Sequence, residues 1–230
     1  MHMICPWDFA KWNETMTFCE ERVCGWIVQP FNSWTSWSVA IVGLIIFLQA
    51  KNSLKVFRSL GVALIYLGVG TFAYHATKTY PAGVIDSMGM LMVVTWALLY
   101  SLQLLFKFSN KVFVFVYIAL NTVLTIYSFF EPFYAATYLF LFFLTTAIFV
   151  ETIRIYKLKI SRDQVLKIFK PLVFCIFLLC VAFFVFWVPD SSGLVCDPKN
   201  HFINGRGIWH LLDALAMYFA YSYMKQFATK

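Results

Sequence analysis

The sequence has few charged residues and no long polar stretch. Asp, Glu, Lys and Arg together make up 13% of its 230 residues, which is about half the share that a soluble domain needs to cover a surface facing water. Soluble enzymes and nucleic-acid-binding modules are therefore excluded. The sequence also lacks a phosphate-binding glycine loop and a GxSxG elbow, which argues against an NTPase and an α/β-hydrolase. What remains is a protein that crosses a membrane several times.

Long apolar runs predict an all-α bundle of seven transmembrane helices. A spanning helix needs about 20 mostly apolar residues, whereas a membrane β-barrel would show short alternating segments. The predicted spans are 33–50, 59–77, 85–106, 112–130, 132–152, 171–188 and 207–224. They divide the chain into an extramembrane N-terminal segment (1–32), a transmembrane domain (33–224) and a short tail (225–230).

Basic residues are distributed unequally between the two sides of this bundle. Thirteen of the 18 Lys and Arg residues fall on one side and the remaining five on the other. The positive-inside rule then places the C-terminus in the cytoplasm and the N-terminus outside or in a lumen. We expect a multi-pass protein of a bacterial inner membrane or a eukaryotic endomembrane. The basic segment Arg154–Lys170 is predicted to be a solvated cytoplasmic loop.

The cysteines also divide between the bundle and its outer side. Cys175 and Cys180 lie within the sixth span and are interpreted as apolar filling. The other four fall on the outer side, where disulfides persist: Cys5, Cys19, Cys24 and Cys196. Spacing alone does not determine which of them pair.

Polar side chains inside the predicted spans are few. Each is a candidate for function, because a polar group in the bilayer is costly unless it is paired, hydrated or bound to a metal. Thr71 and His75 lie one helical turn apart near the outer end of span two. Asp86 opens span three after a short turn (78–83), so the hairpin of these two spans brings His75 and Asp86 to a similar depth.

A second polar group opens span seven. Arg206, His210 and Asp213 are separated by four and three residues, and these spacings return to nearly the same helix face. Span seven begins on the same outer side as the hairpin of spans two and three. The polar residues of the three helices are therefore predicted to converge beneath the outer surface.

Two imidazoles and a carboxylate in a dry helix bundle are suitable ligands for zinc. An open coordination position would hold a water of lowered pKa. A nearby Asp could take its proton, and a Thr hydroxyl could bind the oxyanion. The other interpretation is that each histidine is hydrogen-bonded to a neighbouring helix and fills space.

Three sequence blocks lie ahead of span one, in span two and at the start of span seven. They are FCEE (18–21) with QPFNSWTS (29–36), GTFAYHAT (70–77) with Asp86 following it, and GIWHLL (207–212). In order and position they resemble the alkaline ceramidase family, which belongs to a wider group of seven-span hydrolases that includes the progestin and adipoQ receptors.

The resemblance implies an intramembrane hydrolase that cleaves a ceramide-like lipid amide, or a related lipid ester, with a zinc-activated water. Zinc would be held by one histidine of span two and two of span seven. His75 and His210 match two of these ligands. Asp86 matches the acid–base carboxylate, and Thr71 occupies the family's usual serine position, where its hydroxyl steadies the oxyanion.

The resemblance also implies a disulfide between Cys19 and Cys196, which would tie the N-terminal segment over the site. The expected partner is a membrane lipid substrate. Neither a nucleic acid nor a soluble protein partner is expected.

One position departs from the family pattern in span seven. The family has His-x-x-x-His there, but the first position is Arg206, and a guanidinium has no lone pair for a metal. Three interpretations remain open. Asp213, Asp86 or His201 completes a metal site with altered ligands. In the second interpretation, the metal is absent and Arg206 pairs with Asp86 or Asp213. In the third, Arg206 binds a lipid head-group phosphate.

The alternative function is a non-catalytic seven-span relative, lipid-binding or receptor-like, that has lost its zinc.

The N-terminal segment departs from the pattern of the calcium-regulated members. Glu20 and Glu21 remain, but Thr17, Arg22 and Gln29 stand where further calcium ligands would be needed. Calcium requires several oxygen donors, and the positive charge of Arg22 repels it. No calcium site is expected.

Overall fold

Seven long helices build the part of the chain that the computed structural model describes, which is residues 5–7, 18–50, 55–130, 133–158 and 162–228. They are α1 (Pro30–Gln49), α2 (Lys55–Thr77), α3 (Tyr80–Phe106), α4 (Asn110–Phe130), α5 (Phe133–Lys157), α6 (Arg162–Val181) and α7 (Gly205–Met224). α6 continues through a π-helical stretch (Ala182–Trp187) and one further α-turn (Val188–Ser191). The predicted all-α, seven-helix fold class is confirmed.

Six helices of the described chain, α1 to α6, are long and apolar enough to cross a membrane. α7 is 20 residues long but is less apolar, because it carries Arg206, His210 and Asp213. It packs against α1 and α6, so that its polar residues have protein neighbours in place of lipid. The orientation of the bundle in the membrane stays a prediction.

Small residues allow α1 and α2 to approach closely. A Cβ at Gly68 of α2 would collide with the backbone of Ala40 in α1, and a Cβ at Gly43 of α1 would lie 2.7 Å from the backbone nitrogen of Ile65. Contacts of this kind are typical of helix pairs in membranes, where small residues let two backbones meet. They place the polar end of α2 directly beside α1.

The turn between α2 and α3 is shorter than the predicted turn, 78–83. It consists of Lys78 and Thr79, and Lys78 adopts a left-handed conformation with φ of 51°, which reverses the chain within two residues. Pro81 lies in the first turn of α3, a position that favours helix initiation. Asp86 therefore lies in the second turn of α3, close to the end of α2.

The predicted solvated loop over Arg154–Lys170 is longer than the connection in the structure. α5 extends to Lys157 and α6 already begins at Arg162. Arg154 is buried because it has a local anionic partner: its Nη2 lies 2.5 Å from Oε1 of Glu151, one turn earlier in α5. Runs of basic residues do not reveal such pairing from the sequence.

Glu151 and Arg154 belong to a buried polar cluster that joins three helices. Ser101 of α3 donates to Glu151 at 2.8 Å, and Tyr223 of α7 donates to it at 2.6 Å. Arg154 also donates to the Tyr223 hydroxyl at 3.0 Å. The cluster fastens α3, α5 and α7 together at the end of the bundle where α7 ends.

We predict that Arg154→Ala destabilises the protein strongly, whereas Lys157→Ala in the same helix does not. Removing the guanidinium leaves the part-buried Glu151 carboxylate without its counter-charge, which costs about 1–3 kcal/mol, whereas Lys157 is exposed. Thermal unfolding of both variants in detergent micelles measures the difference. Equal melting temperatures for the two variants would show that the cluster does not hold the bundle together.

Candidate functional site

Two histidine rings meet at the end of the bundle where α2 ends and α7 begins, which we call the site end. The ring centroids of His75 and His210 lie 5.2 Å apart, and both side chains are buried. Among the described residues, neither Nε2 atom has a hydrogen-bond partner. The structure thus brings together the two histidines that the sequence singles out.

His75 is held from behind by Gln29. The Nδ1 atom of His75 lies 2.7 Å from Oε1 of Gln29, and Nε2 of Gln29 donates to the backbone carbonyl of Glu20 at 2.6 Å. Because a carbonyl oxygen can only accept, the Gln29 amide must turn its nitrogen to Glu20 and its oxygen to the imidazole. Nδ1 of His75 therefore carries the hydrogen, and Nε2 carries a free lone pair.

His210 is held by two hydroxyl groups of α1. Its Nδ1 atom lies 3.2 Å from Oγ1 of Thr35 and 3.4 Å from Oγ of Ser36. Thr35 donates its hydrogen to the carbonyl of Phe31 at 2.8 Å, and Ser36 donates its hydrogen to the carbonyl of Asn32 at 2.7 Å. A hydroxyl group has only one hydrogen, so both oxygens must accept from Nδ1–H. Nε2 of His210 again keeps its lone pair.

The two rings therefore share one arrangement, with a donor nitrogen fixed by the protein and a buried acceptor nitrogen left free. Metal-ligating histidines are usually oriented in this way, by a hydrogen bond at the nitrogen that does not bind the metal. The sequence analysis missed the orienting role of Gln29, Thr35 and Ser36. In the sequence they are marked only by their position in the block ahead of span one, and this position does not indicate which histidine ring each of them contacts.

Asp86 and Thr71 form a short contact across the α2–α3 hairpin. Oγ1 of Thr71 lies 2.5 Å from Oδ1 of Asp86 and 2.8 Å from the carbonyl oxygen of Leu67. One hydroxyl hydrogen cannot serve both acceptors. The Thr71 hydroxyl therefore donates to the Asp86 carboxyl group or to the Leu67 carbonyl, and rotation of its hydrogen exchanges one acceptor for the other. The contact thus holds the Asp86 carboxyl group against α2.

A cavity of about 70 Å³ connects the polar residues of α2, α3 and α7. Its remaining walls are apolar side chains of α1, α2, α3 and α7. The polar residues that line it are Thr71, Asp86, Arg206, His210 and Asp213. His75 does not line this cavity but lies against the His210 ring, which does.

Arg206 lies between two aromatic rings. Its guanidinium carbon is 4.2 Å from the ring centroid of Trp209 and 4.5 Å from that of Phe18. Within the described ranges, no carboxylate lies within 4 Å of the guanidinium. The structure therefore does not show the direct ion pair with Asp86 or Asp213 that the sequence left open.

The other possible metal ligands do not complete a group of three with the two histidines among the described residues. Nδ1 of His201 lies 3.2 Å from Oε1 of Glu20, at the N-terminal segment. Asp213 lines the cavity, and its Oδ1 has no partner among the described residues. In the described part of the chain, no three His, Cys, Asp or Glu side chains form a group that could hold a metal ion. The site thus presents two nitrogen ligands that fit zinc, but no third ligand in place.

A disulfide ties the described part of the N-terminal segment around Cys19 over the site. Cys19 is bonded to Cys196, which confirms the predicted pair, and Cys5 is bonded to Cys24. The neighbouring Phe18 ring lies against His75, with centroids 5.2 Å apart. This cross-link keeps an apolar ring above the histidine pair.

Glu20 anchors the same segment to the start of α1. Its buried carboxylate accepts from the backbone nitrogens of Phe31 at 2.9 Å and Asn32 at 3.0 Å. A carboxylate in this position satisfies helix N–H groups that otherwise have no partner and interacts favourably with the helix dipole. Glu20 thereby fixes the stretch of chain from which Gln29 reaches His75. The expected absence of a calcium site stays a prediction.

Comparison with protein families decides what kind of protein carries this site. A family model described as ceramidase matches residues 11–230. The chain belongs to the ceramidase family. No individual curated protein matches it. Membership in the ceramidase family, together with the apolar helices, makes the chain an integral membrane protein of a lipid amide hydrolase family.

We predict that both histidines carry their ring hydrogen on Nδ1 and not on Nε2. Nitrogen NMR of selectively labelled His75 and His210 measures this directly. Gln29→Leu removes the acceptor at His75 and should change only the His75 signals, whereas Gln226→Leu, in the turn that follows α7 (Lys225–Phe227), should change neither. Hydrogen on Nε2 of either ring in the wild type would contradict the geometry described above.

Proposed function

We propose that this member of the ceramidase family hydrolyses the amide bond of a ceramide-like lipid within the membrane, with zinc held by Nε2 of His75 and His210. The observation that carries the proposal is the pair of buried Nε2 atoms that have no partner among the described residues, each on a ring fixed at Nδ1. Family membership supplies the reaction class.

Catalytic zinc sites usually take three protein ligands and leave one position for water or substrate. Arg206 cannot be the third ligand, because a guanidinium has no lone pair to donate. Asp213 is our candidate. It lies on the same helix as His210, lines the same cavity, and has a carboxylate oxygen with no partner in the described chain.

The chain's own residues account for the proton transfers of amide hydrolysis. When bound, zinc supplies a Lewis acid. As the oxygen of a water molecule bonds to the amide carbon, Asp86 accepts the proton that the water loses, and it returns a proton to the nitrogen as the C–N bond breaks. Thr71 contacts the Asp86 carboxyl group, and its hydroxyl hydrogen, once turned from its protein acceptors to the substrate, steadies the oxyanion. The products are a fatty acid and a long-chain amine.

We predict about one zinc ion per chain in the purified wild-type protein, as a single site of this type requires. His75→Ala and His210→Ala should each lose it, because each removes a nitrogen ligand. His201→Ala is the matched control and should retain it, because His201 contacts Glu20 and not the histidine pair. Metal analysis of the four proteins tests the ligand set, and equal zinc in the His210→Ala and His201→Ala variants would reject it.

We predict that Asp86→Asn lowers kcat for a ceramide substrate by about 10²–10⁴-fold, the usual contribution of a positioned acid–base group. Zinc content should stay unchanged, because Asp86 is not proposed as a ligand. Asp197→Asn replaces an exposed carboxylate outside the cavity and should keep the wild-type kcat. A wild-type kcat in Asp86→Asn would assign the proton transfers to another group.

The second candidate function is a non-catalytic relative that binds lipid. It is favoured by one observation: Arg206 occupies the third ligand position of the family pattern, and the described residues supply no replacement in place. A well-folded wild-type protein without zinc and without amidase activity would establish this alternative. If the zinc proposal is correct, Arg206→His should instead increase zinc affinity, because it restores the family's third imidazole.

A further inference from the structure

We propose that Arg206 contacts the acyl group of the substrate: its guanidinium binds the carbonyl oxygen of the amide and, after cleavage, the carboxylate of the fatty acid. The inference deepens the proposed function and rests on it, because it names the residue that meets the bond being cleaved. It also gives a role to the position at which the chain departs from the family pattern.

The position of Arg206 is fixed from two sides. Its backbone nitrogen donates to Oδ2 of Asp190 at 3.1 Å, which holds the first turn of α7. Its guanidinium lies against the rings of Trp209 and Phe18 at 4.2 and 4.5 Å, and Phe18 is itself anchored next to the Cys19–Cys196 disulfide. The cation is therefore presented to the cavity in a defined direction.

The guanidinium retains hydrogen-bonding capacity in this position. The residue is 9% exposed, its Nε has no partner among the described residues, and no described carboxylate lies within 4 Å. A buried N–H donor without an acceptor, such as this Nε, is costly. The cavity that it lines has room for an acceptor, which the protein side chains described here do not provide.

The acyl oxygen of a bound substrate is the acceptor that we expect at this guanidinium. Asp86 and His210 line the same cavity as Arg206, so an amide placed for proton transfer by Asp86 has its carbonyl within the same small space. Hydrolysis adds the elements of water across the C–N bond, and the carbonyl oxygen passes through an oxyanion to one oxygen of a carboxylate. A guanidinium offers paired N–H groups that match a carboxylate, and it stabilises charge as that charge develops.

Equilibrium binding of palmitate, with hexadecanol as the neutral control of equal chain length, tests this contact. Both are measured on detergent-solubilised protein treated with a zinc chelator, so that binding does not depend on a metal. Arg206→Gln should weaken palmitate binding by about 10- to 100-fold, as expected for a lost hydrogen bond to a charged group, and leave hexadecanol binding unchanged. Arg58→Gln, at the opposite end of the bundle, should bind both as the wild type does.

Arg206→Lys provides a second test in case the Arg206→Gln variant does not fold. It keeps the charge but loses the paired donors, so it should bind palmitate about tenfold more weakly with unchanged hexadecanol binding. An equal loss of palmitate and hexadecanol affinity in these variants would overturn the inference, because it would indicate a damaged cavity and not a lost contact.

Amidase activity of the wild-type protein separates this inference from the proposed function. A wild type that cleaves ceramide, combined with Arg206→Gln binding palmitate as tightly as the wild type, overturns the inference and leaves the function intact. A wild type that does not cleave ceramide but binds palmitate through Arg206 supports the contact and rejects the function.

Discussion

The hydrogen bonds at Nδ1 of the two histidines are the constraint on which the rest of the site depends. Gln29 accepts from one ring, and two hydroxyl groups of α1 accept from the other. These bonds fix the tautomers, so two free lone pairs remain buried next to each other. The disulfide between Cys19 and Cys196 and the capping of α1 by Glu20 hold the supporting residues in place. The N-terminal segment is thus part of the site and not a separate lid.

Much of the fold and part of the site could be predicted from the sequence. Low charge and long apolar runs predict a helical membrane bundle, because few structures can satisfy the hydrogen bonds of the backbone N–H and C=O groups inside a membrane. The convergence of His75, Asp86 and His210 could be expected because helix periodicity and a short hairpin limit where these side chains can lie. The family resemblance supplied the correct disulfide and the correct family.

The remaining features depend on tertiary packing that no local pattern encodes. Gln29 reaches His75 because Glu20 anchors the segment before α1, and these partners are far apart in the sequence. Arg154 lies in a run of basic residues that is typical of a solvated loop, yet the carboxylate of Glu151, one turn earlier, allows it to be buried. For Arg206 the sequence left open an altered metal site, a pair with Asp86 or Asp213 and a lipid phosphate, and it could not show that two aromatic rings flank the guanidinium.

X-ray absorption spectroscopy at the zinc edge of the purified protein tests the central claim most directly. The account predicts a first shell with two imidazole nitrogens at about 2.0 Å and oxygen donors in the remaining positions. The imidazole scattering should be lost in His75→Ala and in His210→Ala. A protein that retains no zinc, or one whose zinc spectrum is unchanged in both variants, would contradict the claim that these two rings form a metal site.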